Sequence, residues 1–306
     1  MSKHFRSGFV AIIGRPNAGK STLVNRLAGQ KIAIVTSKPQ TTRNRIQGIV
    51  NRPGGQIVFI DTPGLHPADS ALGRQMTHEV AAALEGIEVM LLMVDASRAY
   101  PGADELLLSK AKTSRVPVIL VLNKVDRMPK PKLLPMMESY AKSFDFAAIV
   151  PISALKGTGC EDLLKRVIER LPEGEPHFAE DQVTDQPERF LAAEIVREKA
   201  IALTYHEVPH ALAVVVEKWE QTPKLLRIHA ILHVERDSQK KILIGRRGAM
   251  MKKVGTDARK ELEILLATKV YLELFVKVLP GWRDDPRRVR QLDWHAQLEE
   301  LAGEEQ

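Results

Sequence analysis

Phe9-Val10-Ala11-Ile12-Ile13-Gly14-Arg15-Pro16-Asn17-Ala18-Gly19-Lys20-Ser21-Thr22 is the stretch on which the reading of the first half of the chain turns. Residues 9–13 are apolar without alternation, as in a strand buried on both faces of a sheet. Residues 14–21 complete the pattern G-x-x-x-x-G-K-[ST] between that strand and a predicted helix over 21–28, the context in which the pattern has a mechanism. Small residues at Gly14, Ala18 and Gly19 let successive backbone N–H groups close around phosphate oxygens, and the helix N-terminus adds its positive end. Lys20 can then reach the β- and γ-phosphates and the Ser21 hydroxyl can ligate Mg²⁺, with Thr22 the last nucleotide-binding residue of the segment.

Outward from this loop, short apolar runs at 57–60, 90–94, 118–122 and 148–152 alternate with amphipathic stretches at 71–84, 104–113, 132–143 and 161–170. That order predicts an α/β domain with a mostly parallel sheet and helices on both faces. An extra edge strand over 45–51 turns through Pro53-Gly54-Gly55 into the run that follows.

Three later motifs follow strands in the same way. Asp61-Thr62-Pro63-Gly64 puts a carboxylate at a strand end, where a Mg²⁺ shell needs one, either directly or through water. Gly64 lets a backbone N–H approach the γ-phosphate. In Asn123-Lys124-Val125-Asp126, the Asp126 carboxylate can accept from both N1–H and the 2-amino group of guanine. Adenine would leave that carboxylate unpaired, so the motif predicts GTP over ATP. Asn123 and the Lys124 stem support the ring and loop. Ser153-Ala154-Leu155 forms a third wall, with the Ala154 N–H expected to face guanine O6.

The segment 172–187 carries Pro172, Gly174, Pro176 and Pro187 without an apolar period and reads as a linker between a domain at 1–171 and another at 188–306. After it come a helix (188–204), strands (211–219, 226–234), Ile242-Leu243-Ile244-Gly245-Arg246-Arg247-Gly248, a basic helix (249–267), a strand (269–279) and a last helix (286–301). This is a small α+β arrangement. Its charge is concentrated: residues 236–260 hold nine Lys or Arg against Asp237 and Asp257, which points to a polyanionic partner.

The whole chain of 306 residues, with formal net charge +7, is 44% hydrophobic and 27% charged, an ordinary balance for a globular protein. One cysteine, Cys160, excludes a disulfide framework and reads as a packing residue in a reducing cytosol. The opening Met1-Ser2-Lys3-His4-Phe5-Arg6 has no apolar signal core, and no run approaches the roughly 20 residues that span a bilayer. The expectation is a cytoplasmic protein with at most a peripheral hold on membrane.

The ordered set 14–21, 61–64, 123–126 and 153–155 resembles the translation-factor-related class of GTPases, and Pro39-Gln40-Thr41-Thr42-Arg43 resembles the first switch of the Era family. The resemblance implies that Thr42, rather than Thr41, closes on Mg²⁺ in the GTP state. The catalytic set is then Lys20, Thr42 and Gly64. Leu65 stands where Ras-like enzymes carry a water-orienting glutamine, so a slow intrinsic rate is expected. Asn17 resembles the potassium-activated members of the class and implies a K⁺ site. The order helix–strand–strand–helix–helix–strand around G-x-x-G is that of a type II KH domain. There Ile244, Gly245, Arg246, Arg247 and Gly248, with Lys252 and Lys253, would clamp the backbone of single-stranded RNA. Trp282-Arg283-Asp284-Asp285 matches the family's tail. Together these imply a monomeric GTPase that gates binding of small-subunit (16S) ribosomal RNA near its 3′ end during 30S assembly. Two other readings remain: a constitutive RNA-binding protein with a structural nucleotide, and a tRNA-modifying GTPase, against which the single cysteine argues.

Overall fold

The structure is a computed structural model that describes residues 5–65, 68–98, 103–294 and 296. The chain divides into two compact units, the first made of residues 1–33, 42–66 and 76–185 and the second of 34–41, 67–75 and 186–306.

In the first unit β1 (Arg6–Gly14), β3 (Gly55–Asp61), β4 (Val89–Asp95), β5 (Val118–Asn123) and β6 (Ala148–Pro151) run parallel, with β2 (Ile46–Arg52) antiparallel at the edge, in the order β2-β3-β1-β4-β5-β6. Every residue of β3, β4 and β5 is buried, the consequence of their unbroken apolar runs. The helices between them are α1 (Lys20–Ala28), α2 (Ala71–Ala82), α3 (Ala103–Thr113), α4 (Leu133–Ser143) and α5 (Cys160–Ile168). Val80, Leu107, Ala111 and Tyr140 of α2, α3 and α4 pack with Leu92 and Leu120 on one face. Val24 of α1 and Ile168 of α5 press against Gly48 and Gly55 on the other.

The segment expected to be a free linker is laid along the open edge of this sheet. The Ile49 N–H donates to Val183 O at 2.9 Å, Thr184 Oγ1 donates to Gln47 O at 2.7 Å, and Gln56 bonds the backbone of His177 and Phe178. An edge strand leaves N–H and C=O groups unpaired, and this segment satisfies them. Its prolines prevent a regular strand, which is why its sequence looked structureless.

The second unit holds the three-stranded sheet β7 (Ala213–Gln221), β8 (Leu226–Val234) and β9 (Val270–Val278), β7 antiparallel and β9 parallel to the central β8. Its helices are α6 (Glu188–Leu203), α7 (Val208–Ala211), α8 (Asp237–Ile244), α9 (Ala249–Leu265) and α10 (Pro286–Gln291). Val196 and Ala200 of α6 and Val254, Ala258 and Leu262 of α9 form one core with Ile228, Ala230 and Leu232 of β8. The strand expected from 211 starts at Ala213, because Pro209 sits in the first turn of α7 and opens a helix there instead. The last helix is seen over Pro286–Gln291, while 295 and 297–301 of its expected span lie outside the described residues. Trp282 is buried to 2% exposure and donates its indole N–H to Ala211 O at 2.9 Å.

Candidate functional site

The carboxyl ends of β1, β3, β4 and β5 bring residues 14–20, Asp61, Asp95 and Asn123 to one edge of the sheet, where open α/β sheets bind ligands. At Gly19 the backbone has φ +103, and a Cβ built there would lie 2.2 Å from Asn123 Nδ2, so only glycine fits the loop. Lys20 is buried, with Nζ donating to Gly14 O at 3.2 Å and Arg15 O at 3.3 Å. Burial pushes the Lys20 pKa down while the charge of Asp61 pushes it up, and the net shift is downward.

Ser21, Thr42 and Asp61 converge. Ser21 Oγ donates to Asp61 Oδ2 at 2.5 Å and lies 2.9 Å from Thr42 Oγ1. Asp61 is fully buried, its Oδ1 has no hydrogen-bond partner among the described residues, and burial drives its carboxyl upward against the opposing charge of Lys20. Two hydroxyls and an orphaned buried carboxylate oxygen make a hard oxygen donor set that fits Mg²⁺. Thr41 turns elsewhere: its hydroxyl donates to Lys38 O at 2.7 Å and lies 2.6 Å from Thr36 Oγ1. Leu65 is partly buried and packs against the core beside α2, α3 and α4, and its apolar side chain has no group to hydrogen-bond a water.

The base pocket is held by Asn123, 2% exposed, whose Nδ2 donates to Ala18 O at 2.8 Å and whose Oδ1 accepts the Ala154 N–H at 2.9 Å. The Ala154 N–H, expected to face guanine O6, donates here to the buried Asn123 oxygen, which needs a donor. Leu155 extends from this wall, 59% exposed. Asp126 is exposed, and a hydrogen bond from Ser153, with the charges of Lys156 and Arg127, holds its carboxyl below the usual value despite some desolvation. It stands ionised at neutral pH, as an acceptor for two N–H groups must. Lys124 Nζ donates to Asn17 O at 2.6 Å and to Asp95 Oδ2 at 2.7 Å. Asp95 and Ser97 carried no recognisable motif, and the reading of the sequence missed them.

In the second unit Gly245 ends α8 at φ +72, with a built Cβ 2.7 Å from Met250 Cβ, and Gly248 caps α9 at φ +77. The turn between them presents Arg246 and Arg247 to solvent, Arg247 itself at φ 53. Lys252 and Lys253 are exposed on the first turns of α9, Ile242 is 46% exposed on α8 and Ile244 is half-buried. Lys253 pairs with Asp257 at 3.4 Å, whereas Arg246, Arg247 and Lys252 form no ion pair among the described residues.

Residues 9–124 match the family model "50S ribosome-binding GTPase" and residues 207–283 match that of the KH domain. GTPase Era of Geobacter sp. (strain M21) is 50% identical over 295 residues, and that of Geotalea daltonii 48% over 293; each alignment covers 95% of this chain and 99% of the relative. The chain belongs to the Era family of GTPases. It is a hydrolase acting on GTP, built from a P-loop GTPase fold and a KH domain. Among solved structures it is similar to Era in complex with MgGDPNP and nucleotides 1506–1542 of 16S ribosomal RNA, with a TM-score of 0.92 at 44% identity over 95% of this chain and 99% of that one. It is also similar to a tyrosine-to-alanine variant of Aquifex aeolicus Era bound to GDP·AlF4⁻, with a TM-score of 0.91 at 43% identity over the same shares.

Proposed function

We propose that the nucleotide state of this GTPase gates its binding of 16S ribosomal RNA near the 3′ end, in the assembly of the 30S subunit. The observation that carries the reading is the near-full-length likeness to an Era structure holding both a GTP analogue and that RNA segment. The exposed Arg246 and Arg247 between two glycines suit a phosphate backbone, and their attraction weakens with salt. The RNA-contacting set is Ile244, Gly245, Arg246, Arg247, Gly248, Lys252 and Lys253, within a division into GTP-binding (1–171), connecting (172–187) and RNA-binding (188–306) segments.

At the nucleotide, Lys20 and the N–H groups of residues 14–22 hold the phosphates, and the Gly64 N–H meets the γ-phosphate. Ser21, Thr42 and Asp61 would hold Mg²⁺, Asp61 directly or through water, and the ion would offset phosphate charge. Asp126 reads the guanine edge, with Asn123, Lys124, Ser153, Ala154 and Leu155 as its frame. With Leu65 in the core, hydrolysis without an activator is slow. Asn17 would help hold a K⁺ ion, and equal turnover in KCl and NaCl would remove that part.

The protein acts as a cytoplasmic monomer with at most peripheral membrane association, which sedimentation and vesicle flotation would check. Crosslinking to total RNA in cells followed by sequencing tests the main claim. Crosslinks should concentrate near the small-subunit 3′ end. A scatter over messages with none there would defeat the assignment and leave the GTPase intact.

A further inference from the structure

We propose that Asp95 is a positioning residue of the GTPase site: acting through Lys124, it ties the phosphate loop to the base pocket and sets how fast bound guanine nucleotide leaves. The inference rests on the GTP-binding reading of that site. Asp95 is the last residue of β4 and lies opposite Asn123 in the parallel register with β5, so the backbone delivers its carboxylate beside residue 124. The Ala96 N–H donates to Asn123 O at 2.8 Å and locks that alignment.

Both carboxylate oxygens are fixed. Oδ1 accepts from the Ser97 N–H at 3.0 Å and the Ser97 hydroxyl at 2.6 Å, while Oδ2 accepts from Lys124 Nζ at 2.7 Å. The side chain is 6% exposed, so this charge-assisted bond is sheltered from screening. Arg98 lies 3.9 Å from the same oxygen but is 62% exposed, and such contacts contribute little.

What Asp95 holds matters for the site. A lysine has a flexible four-carbon stem and no preferred direction of its own. Lys124 itself sits at φ 66 and sends its ammonium back across the loop to Asn17 O at 2.6 Å. Asn17 is likewise at φ 63, a backbone conformation that non-glycine residues rarely adopt. The chain Ser97–Asp95–Lys124–Asn17 thus joins the ends of β4 and β5 to the phosphate loop, and opening it frees the loop on one side and the pocket wall on the other.

The test is release of mant-GDP from the full chain, measured by stopped flow for the wild type, D95A, D95N, K124A and the double variant D95A/K124A. Loss of one charge-assisted hydrogen bond should speed release by D95A about tenfold or more. Release by D95N should fall between D95A and wild type, since its amide keeps an acceptor for Lys124 but loses the charge. Turnover at saturating GTP should change less than release does. The double variant should release no faster than K124A, because Asp95 acts only through Lys124. A merely structural Asp95 would instead give additive effects in the cycle. Release by D95A within twofold of wild type, or additive effects, would overturn the proposal; if D95A does not fold, D95N and its pairing with K124A give the same cycle. Failure of the wild type to bind mant-GDP would overturn the GTP-binding reading itself.

Discussion

Replacing Asn123 with alanine should cost about 2–6 kcal/mol of stability before any nucleotide is bound, since each of two buried groups left unpaired costs about 1–3 kcal/mol. The carboxamide bridges two backbone groups from different loops, the Ala18 carbonyl at 2.8 Å and the Ala154 N–H at 2.9 Å. Ala18 is 2% exposed and Ala154 1%, so water reaches neither group freely. Asn123→Asp is the sharper variant. It keeps an acceptor for Ala154 but turns a second oxygen toward the Ala18 carbonyl, where a donor had been. It should therefore be at least as destabilising as alanine at pH 7 and regain stability in acid, as protonation restores a donor. Urea unfolding of nucleotide-free protein, read on the transition of the first unit, measures both. A loss below about 1 kcal/mol in N123A, the low end for one unpaired group, or a wild-type midpoint for N123D at pH 7 would refute the reasoning.

Trp282→Ala removes a fully packed indole and its bond to Ala211, and should destabilise the second unit by about 3–5 kcal/mol while GDP binding persists; calorimetry with a GDP titration checks both. Burial pushes the Cys160 thiol up despite the nearby charge of Arg26, so it should resist alkylation at pH 7.5 in native protein and react fully in denaturant. Desolvation pushes the Asp95 carboxyl up, but hydrogen bonds from Lys124 and Ser97 and the charge of Lys124 outweigh it, leaving it below the usual carboxylate range. Its stabilising contribution is complete above the unfolded value and is lost only as pH falls through the lower folded one. Nucleotide release should therefore stay flat between about pH 5 and 8 on account of this group, and an acceleration at pH 6 absent from D95N would contradict it. Arg246→Ala and Arg247→Ala should each reduce the salt slope of single-stranded RNA binding by about 0.7, and an unchanged slope would place both off the backbone.

Much of the fold and site could be read from the chain because the signals are local. The unbroken apolar runs of β3, β4 and β5 foretold burial on both faces. Motifs pointed to Ser21 and Asp61 and the family resemblance to Thr42, and Ser21 lies within hydrogen-bonding reach of both the others. What escaped was decided by partners distant in sequence. Residues 172–185 look structureless until the open edge of β2 offers them hydrogen bonds. Nothing local in the sequence marks the Ala154 N–H as a donor to Asn123. Asp95 ends a strand like many other residues, and only the register with β5 sets it against Lys124.

A nucleotide-gated switch requires that nucleotide and RNA sense each other. Fluorescence anisotropy of a single-stranded RNA carrying the 16S 3′-end sequence should be titrated with the full chain in excess GDP and in excess GDPNP, at fixed Mg²⁺ and salt. Coupling between two sites commonly changes affinity about 5- to 150-fold, and tighter binding within that range is predicted with GDPNP. Equal affinity in the two states would contradict the account and leave a constitutive RNA-binding protein whose nucleotide is structural.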